Sequence, residues 1–322
     1  MGHETLDRTA RRRHKLRNLA HSALLLAGMV GLLFVISWLL LGRDLALWAL
    51  AGWVLALIWA PRISPQIVMR MYRARPLGPA EFPAGHDLLA RLAARAGLPR
   101  APRLYYVPSA ALNAFTLGGK ADAVVSVTDG LLRSLTLREL AGVLAHEISH
   151  IRNNDLWVMS LADSISRLTS FFSFAGVMLL FLSVPMMLLQ GSLAPLVVAV
   201  ILIVAPTFAS LLQLALSRAR EFDADLEAAG LTGDPEGLAS ALRKLEQHQA
   251  GLWERVFLPG RRIPDPSLFR SHPSTEERVA RLLSLAPDAR RAPFAASDRP
   301  AVTSGIRPVI GRPRWRYTGL WH

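Results

Sequence analysis

Leu144-Ala145-His146-Glu147-Ile148-Ser149-His150-Ile151 is the stretch on which the reading of this chain turns. Just upstream, Thr136-Leu137-Arg138-Glu139 has the composition of a capping box, so a helix is expected to begin at Thr136. Residues four apart share one face of a helix, which sets His146 above His150. Two imidazoles at that spacing reach a single zinc ion at about 2.0–2.1 Å each. Glu147, one residue along, then stands beside the metal rather than in contact with it, where it can take a proton from water. With nine histidines in 322 residues, the pattern arises by chance with odds of roughly one in a hundred. The plainer alternative is a helix with two surface histidines. It fits poorly with the neighbours Leu144, Ile148 and Ile151, among which an imidazole needs a polar partner. The chain has no cysteine, so any metal must be held by histidine and carboxylate.

A third ligand is expected from a second helix. Ser217-Arg218-Ala219-Arg220-Glu221-Phe222-Asp223-Ala224-Asp225 places Glu221 and Asp225 four apart. One can ligate the metal while the other accepts the free N–H of a ligand histidine. Alone, Glu221 beside Arg220 reads as an ordinary surface charge pair; with the upstream motif it reads as the third ligand.

The rest of the chain points to a membrane. Apolar residues make up 52% and charged residues only 19%, with mean hydropathy +0.29. Ala20 to Leu41 is long enough to cross a bilayer, which takes about 20 residues. Gly42-Arg43-Asp44 makes a turn into a second, shorter run, Leu45 to Ala60, ended by Pro61. Between Arg167 and Arg218 no side chain is charged, and Gln190-Gly191-Ser192 divides that stretch into a hairpin. Four transmembrane helices are therefore expected, with kinks at Pro185, Pro195 and Pro206. The net charge of +13 gathers around the apolar runs and in the last forty residues. That fits the positive-inside bias and leaves both termini and the polar regions on the cytoplasmic side of the cell (inner) membrane. No nucleic-acid-reading module is recognisable, and a transporter would need ionisable residues inside the later spans, which have none.

The fold class that follows is mainly α with a small β-sheet (α+β). Residues 1–19 form a basic N-terminus, 20–61 and 168–217 two transmembrane hairpins, and 62–84 a linker. Residues 85–167 and 218–286 form the two parts of a catalytic domain, and 287–322 a basic Pro-rich tail expected to lack order. Gly85 to Ala96 reads as an amphipathic helix closed by Gly97-Leu98-Pro99. Leu104–Val107, Asn113–Leu117 and Ala123–Val127 read as short strands.

These motifs, in this order, resemble the HtpX-like family of membrane-embedded zinc metalloproteases, related to the CAAX prenyl proteases and the wider Glu-zincin group. The resemblance runs from about Leu88 to Leu285. It rests on Ala96-Gly97-Leu98-Pro99, Asn113-Ala114-Phe115, His146 to His150 with Asn154-Asp155, Arg220-Glu221-Phe222 with Ala224-Asp225, and His272-Pro273-Ser274 with Arg278. Two features depart from it, Thr116-Leu117-Gly118 and the long basic tail. The resemblance implies one Zn2+ per chain on His146, His150 and Glu221, with Glu147 as general base and Asp225 behind a ligand histidine. It also implies Asn113 and Ala114 on an edge strand that pairs with substrate, His272 as donor to the tetrahedral oxyanion, and Arg278 steadying that charge. The substrates it implies are membrane proteins or membrane-proximal loops, in a quality-control role. A prenyl-peptide-type protease and an inactive scaffold that keeps the zinc site are the alternatives.

Overall fold

The computed structural model describes residues 3–59, 65–257, 275–285 and 297–301. In chain order these form α1 (His3–Leu41), α2 (Arg43–Trp59), α3 (Pro65–Met71), β1 (Arg75–Pro76), α4 (Pro83–Ala96), β2 (Arg103–Val107), β3 (Ala114–Leu117) and β4 (Val124–Thr128). They continue as α5 (Asp129–Ser134), α6 (Leu137–Asn153), α7 (Asp155–Gln190), α8 (Ala194–Thr232), α9 (Pro235–Phe257) and α10 (Thr275–Leu285). Two compact units result, one from Met1–Arg62 with Trp157–Arg220, the other from Ile63–Leu156 with Glu221–His322.

In the first unit, α1, α7 and α8 bury Met29, Leu33, Ala162, Ile165 and Leu216 in one cluster and Ile36, Leu202 and Ala205 in another. Gly176 lets α7 and α8 approach closely, since a Cβ there would lie 2.6 Å from that of Leu202. Polar side chains are satisfied locally: Thr169 Oγ1 donates to the Ile165 carbonyl at 2.7 Å, and Ser166 Oγ donates to Gln213 Oε1 at 2.6 Å. Phe171, Phe174, Phe181, Leu182, Leu188, Leu189 and Phe208 are each more than half exposed. Such a surface is stable where lipid replaces water.

Three stretches are long and apolar enough to cross a membrane: Ala20–Leu41, Asp155–Leu189 and Ala194–Thr232. Four were expected. The remaining helix, α2, has 17 residues, the lower end of the length a crossing takes, and the fourth span is not confirmed by the described residues. The later hairpin turns at Gly191, whose φ of 69° suits glycine. Pro185 and Pro206 lie inside α7 and α8 without ending either helix. Pro195 falls in the first turn of α8, where its missing N–H matters least.

The second unit carries a four-stranded sheet in the order β1-β2-β4-β3. β2 and β4 are parallel, and β1 and β3 pair antiparallel on their outer sides, so β3 is an edge among the described strands. β1, only two residues long, leaves no period for sequence to show. All of β4 is buried, as a strand covered on both faces should be. Leu88, Leu89 and Leu92 of α4, Leu140, Leu144 and Ile148 of α6, Leu238 and Ala241 of α9, and Val279 and Leu282 of α10 share one core with Val125 and Val127. α4 ends at Gly97, with φ of 70°.

The start of α6 is tied down completely. Thr136 Oγ1 accepts from Glu139 N at 3.2 Å, and Glu139 Oε2 accepts from Thr136 N at 2.8 Å, the expected capping box. Leu137 N and Arg138 N donate to the carbonyls of Arg299 and Ser297 at 2.9 and 3.2 Å. Residues 297–301 thus lie along the helix start, although they fall in the stretch expected to lack order, and Ala301 is buried there. Every N–H of the first turn has a partner. The other residues of that tail lie outside the described residues.

Candidate metal centre

The helix predicted from Thr136 does put its two histidines on one face. His146 Nε2 lies 3.2 Å from His150 Nε2. Glu221, from α8, approaches both: its Oε2 is 3.5 Å from His146 Nε2, and its Oε1 is 3.8 Å from His150 Nε2. A tetrahedral ion with ligands at about 2.0–2.1 Å requires ligand atoms about 3.3–3.4 Å apart. The three side chains stand close to that spacing and can hold one metal ion.

What lies behind the histidines decides which nitrogen faces inward. His150 Nδ1 is 2.8 Å from Asp155 Oδ2, and His146 Nδ1 is 3.0 Å from Asp225 Oδ1. The second approach is oblique, so it is more electrostatic than directional. Carboxylates at both Nδ1 atoms favour the Nδ1–H tautomers and leave two Nε2 lone pairs facing each other and Glu221. Such a group of electron pairs calls for a cation. The same demand shows in His146. Burial alone would lower its pKa, yet Asp225 and Glu221 outweigh burial and push it up to about 10. The donor set therefore fits a metal of the zinc type, which nitrogen and carboxylate oxygen suit.

Arg278, on α10, closes the back of the centre. Its Nε and Nη2 each donate to Asp225 at 2.7 Å, and its Nη1 lies 3.0 Å from Glu221 Oε2. The residue is buried. Burial works against the guanidinium, but Asp225 and Glu221 more than offset it and raise its pKa above the ordinary value.

Glu147 reaches β3, where its Oε2 accepts from Thr116 Oγ1 at 2.7 Å. Ala114 opens the same strand, and Asn113 immediately precedes it. Asn113 O accepts from Thr128 N at 3.1 Å, and Asn113 N donates to Thr128 Oγ1 at 3.0 Å. His272 lies outside the described residues. The structure thus brings together His146, His150, Glu221, Asp225 and Arg278, with Glu147 on the same helix as the two histidines, Ala114 on β3 and Asn113 just before it.

Two residues were not singled out for a role from sequence. Asp155 reaches His150 because Asn154, at φ 56° and ψ 33°, turns the chain sharply between α6 and α7. An Asn-Asp pair directly after a histidine helix was the available signal, since Asn tolerates the left-handed region. Thr116 had appeared only as a departure in the strand.

Membrane helices and a His-His-Glu centre with a neighbouring carboxylate define a membrane-bound metalloprotease. Residues 79–286 match Peptidase family M48, and the chain belongs to that family. It is 33% identical over 297 residues to a protease HtpX homolog of Methylibium petroleiphilum, covering 84% of this chain and 98% of that one. It is 38% identical over 286 residues to a protease HtpX homolog of Acaryochloris marina, covering 85% and 94%. To that of Pyrococcus furiosus it is 36% identical over 277 residues, covering 82% and 95%. The crystal structure of S. mikatae Ste24p superposes with a TM-score of 0.46 at 22% identity, covering 84% of this chain and 66% of that one.

Proposed function

We propose that this protein is a zinc-dependent endopeptidase of the cell (inner) membrane, cleaving membrane proteins or their membrane-proximal segments on the cytoplasmic side. The observation that carries the reading is the convergence of His146 Nε2, His150 Nε2 and the Glu221 carboxylate, with Asp225 and Asp155 behind the rings. One zinc ion per chain at that point would polarise a scissile carbonyl and acidify water. Everything else falls to the side chains. Asp225 and Asp155 hold the two rings with Nε2 inward, and Arg278 holds Asp225 and Glu221 in place. Glu147 takes the proton of the attacking water and passes it to the departing amine. His272 is assigned to the oxyanion. Asn113 and Ala114 belong to an edge strand, which offers backbone N–H and C=O groups to an extended peptide.

Membrane substrates are favoured because two apolar helices interrupt the chain between His150 and Glu221. The resemblance to the HtpX-like family also implies a role in membrane-protein quality control. The cytoplasmic assignment rests on the basic residues that flank the apolar runs; a fourth crossing through α2 goes with it.

The test compares wild type, Glu147→Gln and His146→Ala in purified form. Glu147→Gln should keep about one zinc per chain and lose proteolysis, whereas His146→Ala should lose both. Cleavage by Glu147→Gln above background would refute the assignment of the base.

A further inference from the structure

β3 is where the sequence leaves its family's pattern, and its geometry gives that departure a role. The pairing of β3 with β4 alternates. Thr128 N–H donates to Asn113 O, and the register Phe115↔Ser126 continues that bonded series. Ala114 and Thr116, opposite Val127 and Val125, therefore turn their backbone N–H and C=O groups to the outer side of the sheet. No described strand lies beyond β3 on that side. The side chains of Ala114 and Thr116 share one face of the pleat, the face on which Glu147 of α6 meets Thr116. Thr116 is only 5% exposed, so its hydroxyl has little water to turn to. At 2.7 Å from Glu147 Oε2 it has one donor to give and gives it to that carboxylate.

We propose that Thr116 is a positioning residue for Glu147. Its hydroxyl ties down one carboxylate oxygen, which fixes the rotamer of Glu147 and presents the other oxygen as proton acceptor. This inference rests on the reading of Glu147 as general base of a zinc endopeptidase.

The experiment uses the full chain in detergent with an internally quenched peptide that the wild type cleaves. Thr116→Val keeps the β-branched shape and removes the donor; Thr116→Ser keeps the donor. Thr116→Val is expected to lower kcat about 10- to 100-fold, the range for a hydrogen bond to a charged group, with KM within about twofold. Thr116→Ser should restore most of kcat. A readout independent of zinc and turnover is the melting temperature of the metal-free protein across the cycle Thr116→Val, Glu147→Ala and the double variant. The loss from Thr116→Val should be about 2–5 °C with Glu147 present and near zero without it.

If Glu147→Gln is inactive while Thr116→Val keeps wild-type kcat, the positioning role is overturned and the protease reading stands. If Thr116→Ser fails to restore kcat, or the melting effects add, Thr116 only fills space and the proposal also falls. If Glu147→Gln still cleaves the peptide, the reading of the base fails first.

Discussion

Asp155 Oδ2 lies 2.8 Å from Nδ1 of His150, five residues back along the chain, because Asn154 between them occupies the left-handed region at φ 56°. The turn that ends α6 thus also supplies the carboxylate that orients one of its histidines. Loss of that carboxylate frees the ring and its tautomer. Asp155→Ala should therefore weaken zinc binding about 10–100-fold, measured by competition with a chelating indicator dye. Asn154→Val should behave in the same direction, since a β-branched residue cannot hold that backbone, whereas Asn154→Gly should be nearly silent. Unchanged zinc affinity in Asp155→Ala would show that the contact does not orient the ligand.

Gly142 lies one helical turn before His146, where α6 presses on α9. A Cβ at that position would stand 2.9 Å from Leu238 Cα and 3.0 Å from its N and Cβ. Alanine is favoured over glycine in a helix by about 1 kcal/mol, but here the methyl meets backbone that cannot move aside alone. Gly142→Ala should be a net loss, of about 1–3 kcal/mol, read as a lower melting temperature in detergent. A rise in melting temperature would mean that helix propensity outweighs packing at this contact.

Where periodicity or local chemistry is strong, the sequence already showed the structure. The Thr136–Glu139 capping box, the Gly97 helix end, the turn at Gly191 and the facing of His146 and His150 all follow from neighbours within four residues. β2, β3 and β4 were legible for the same reason. What was not legible depends on distant contacts. Nothing local says that Arg278 joins Asp225 and Glu221 across more than fifty residues, or that Thr116 meets Glu147 across thirty-one. Residues 297–301 look structureless because Pro, Arg and Ser carry no period. They are held by backbone groups of α6, which composition does not reveal. α2 has a composition that suits a bilayer, and its 17 residues stand at the lower end of the length a crossing takes.

Glu139 ties the acid side of the stability profile to the metal helix. It is buried, and its carboxylate accepts from Lys244 Nζ and Ser240 Oγ at 2.7 Å each as well as from Thr136 N. Burial raises its pKa, but Lys244, Ser240 and Thr136 together outweigh that and hold it below the ordinary carboxylate value. The unfolded chain therefore takes up this proton first as pH falls. The stability Glu139 contributes is complete above about pH 4.3 and is lost as pH falls from there through the folded value. Glu139→Gln should be less stable than wild type by about 1–3 kcal/mol at pH 7, and the gap should close towards pH 3. Melting curves of the metal-free protein across that range measure it. A gap that stayed constant with pH would assign the loss to packing rather than to the carboxylate charge.

Arg278 is the residue whose removal should reveal most about how the centre is balanced. Its guanidinium lies against two buried carboxylates, bidentate to Asp225 and 3.0 Å from Glu221. Without it, the metal-free protein must bury both anions with His146 as the nearby cation. Breaking a buried pair by removing one partner typically costs about 3–5 kcal/mol, because the remaining charge stays desolvated. Arg278→Ala should therefore melt well below wild type when metal-free. Arg278→Lys should recover only part of the loss, since a single ammonium cannot reproduce a bidentate fork and reach Glu221 as well. Zinc supplies positive charge at the same carboxylate, so adding it should raise the melting temperature of Arg278→Ala more than that of wild type. Proteolysis should stay impaired even at saturating zinc, because Asp225 has lost the group that holds it behind His146. If Arg278→Ala melts like wild type, Asp225 and Glu221 are stabilised by something other than this pair, and the guanidinium is not the support that its contacts indicate.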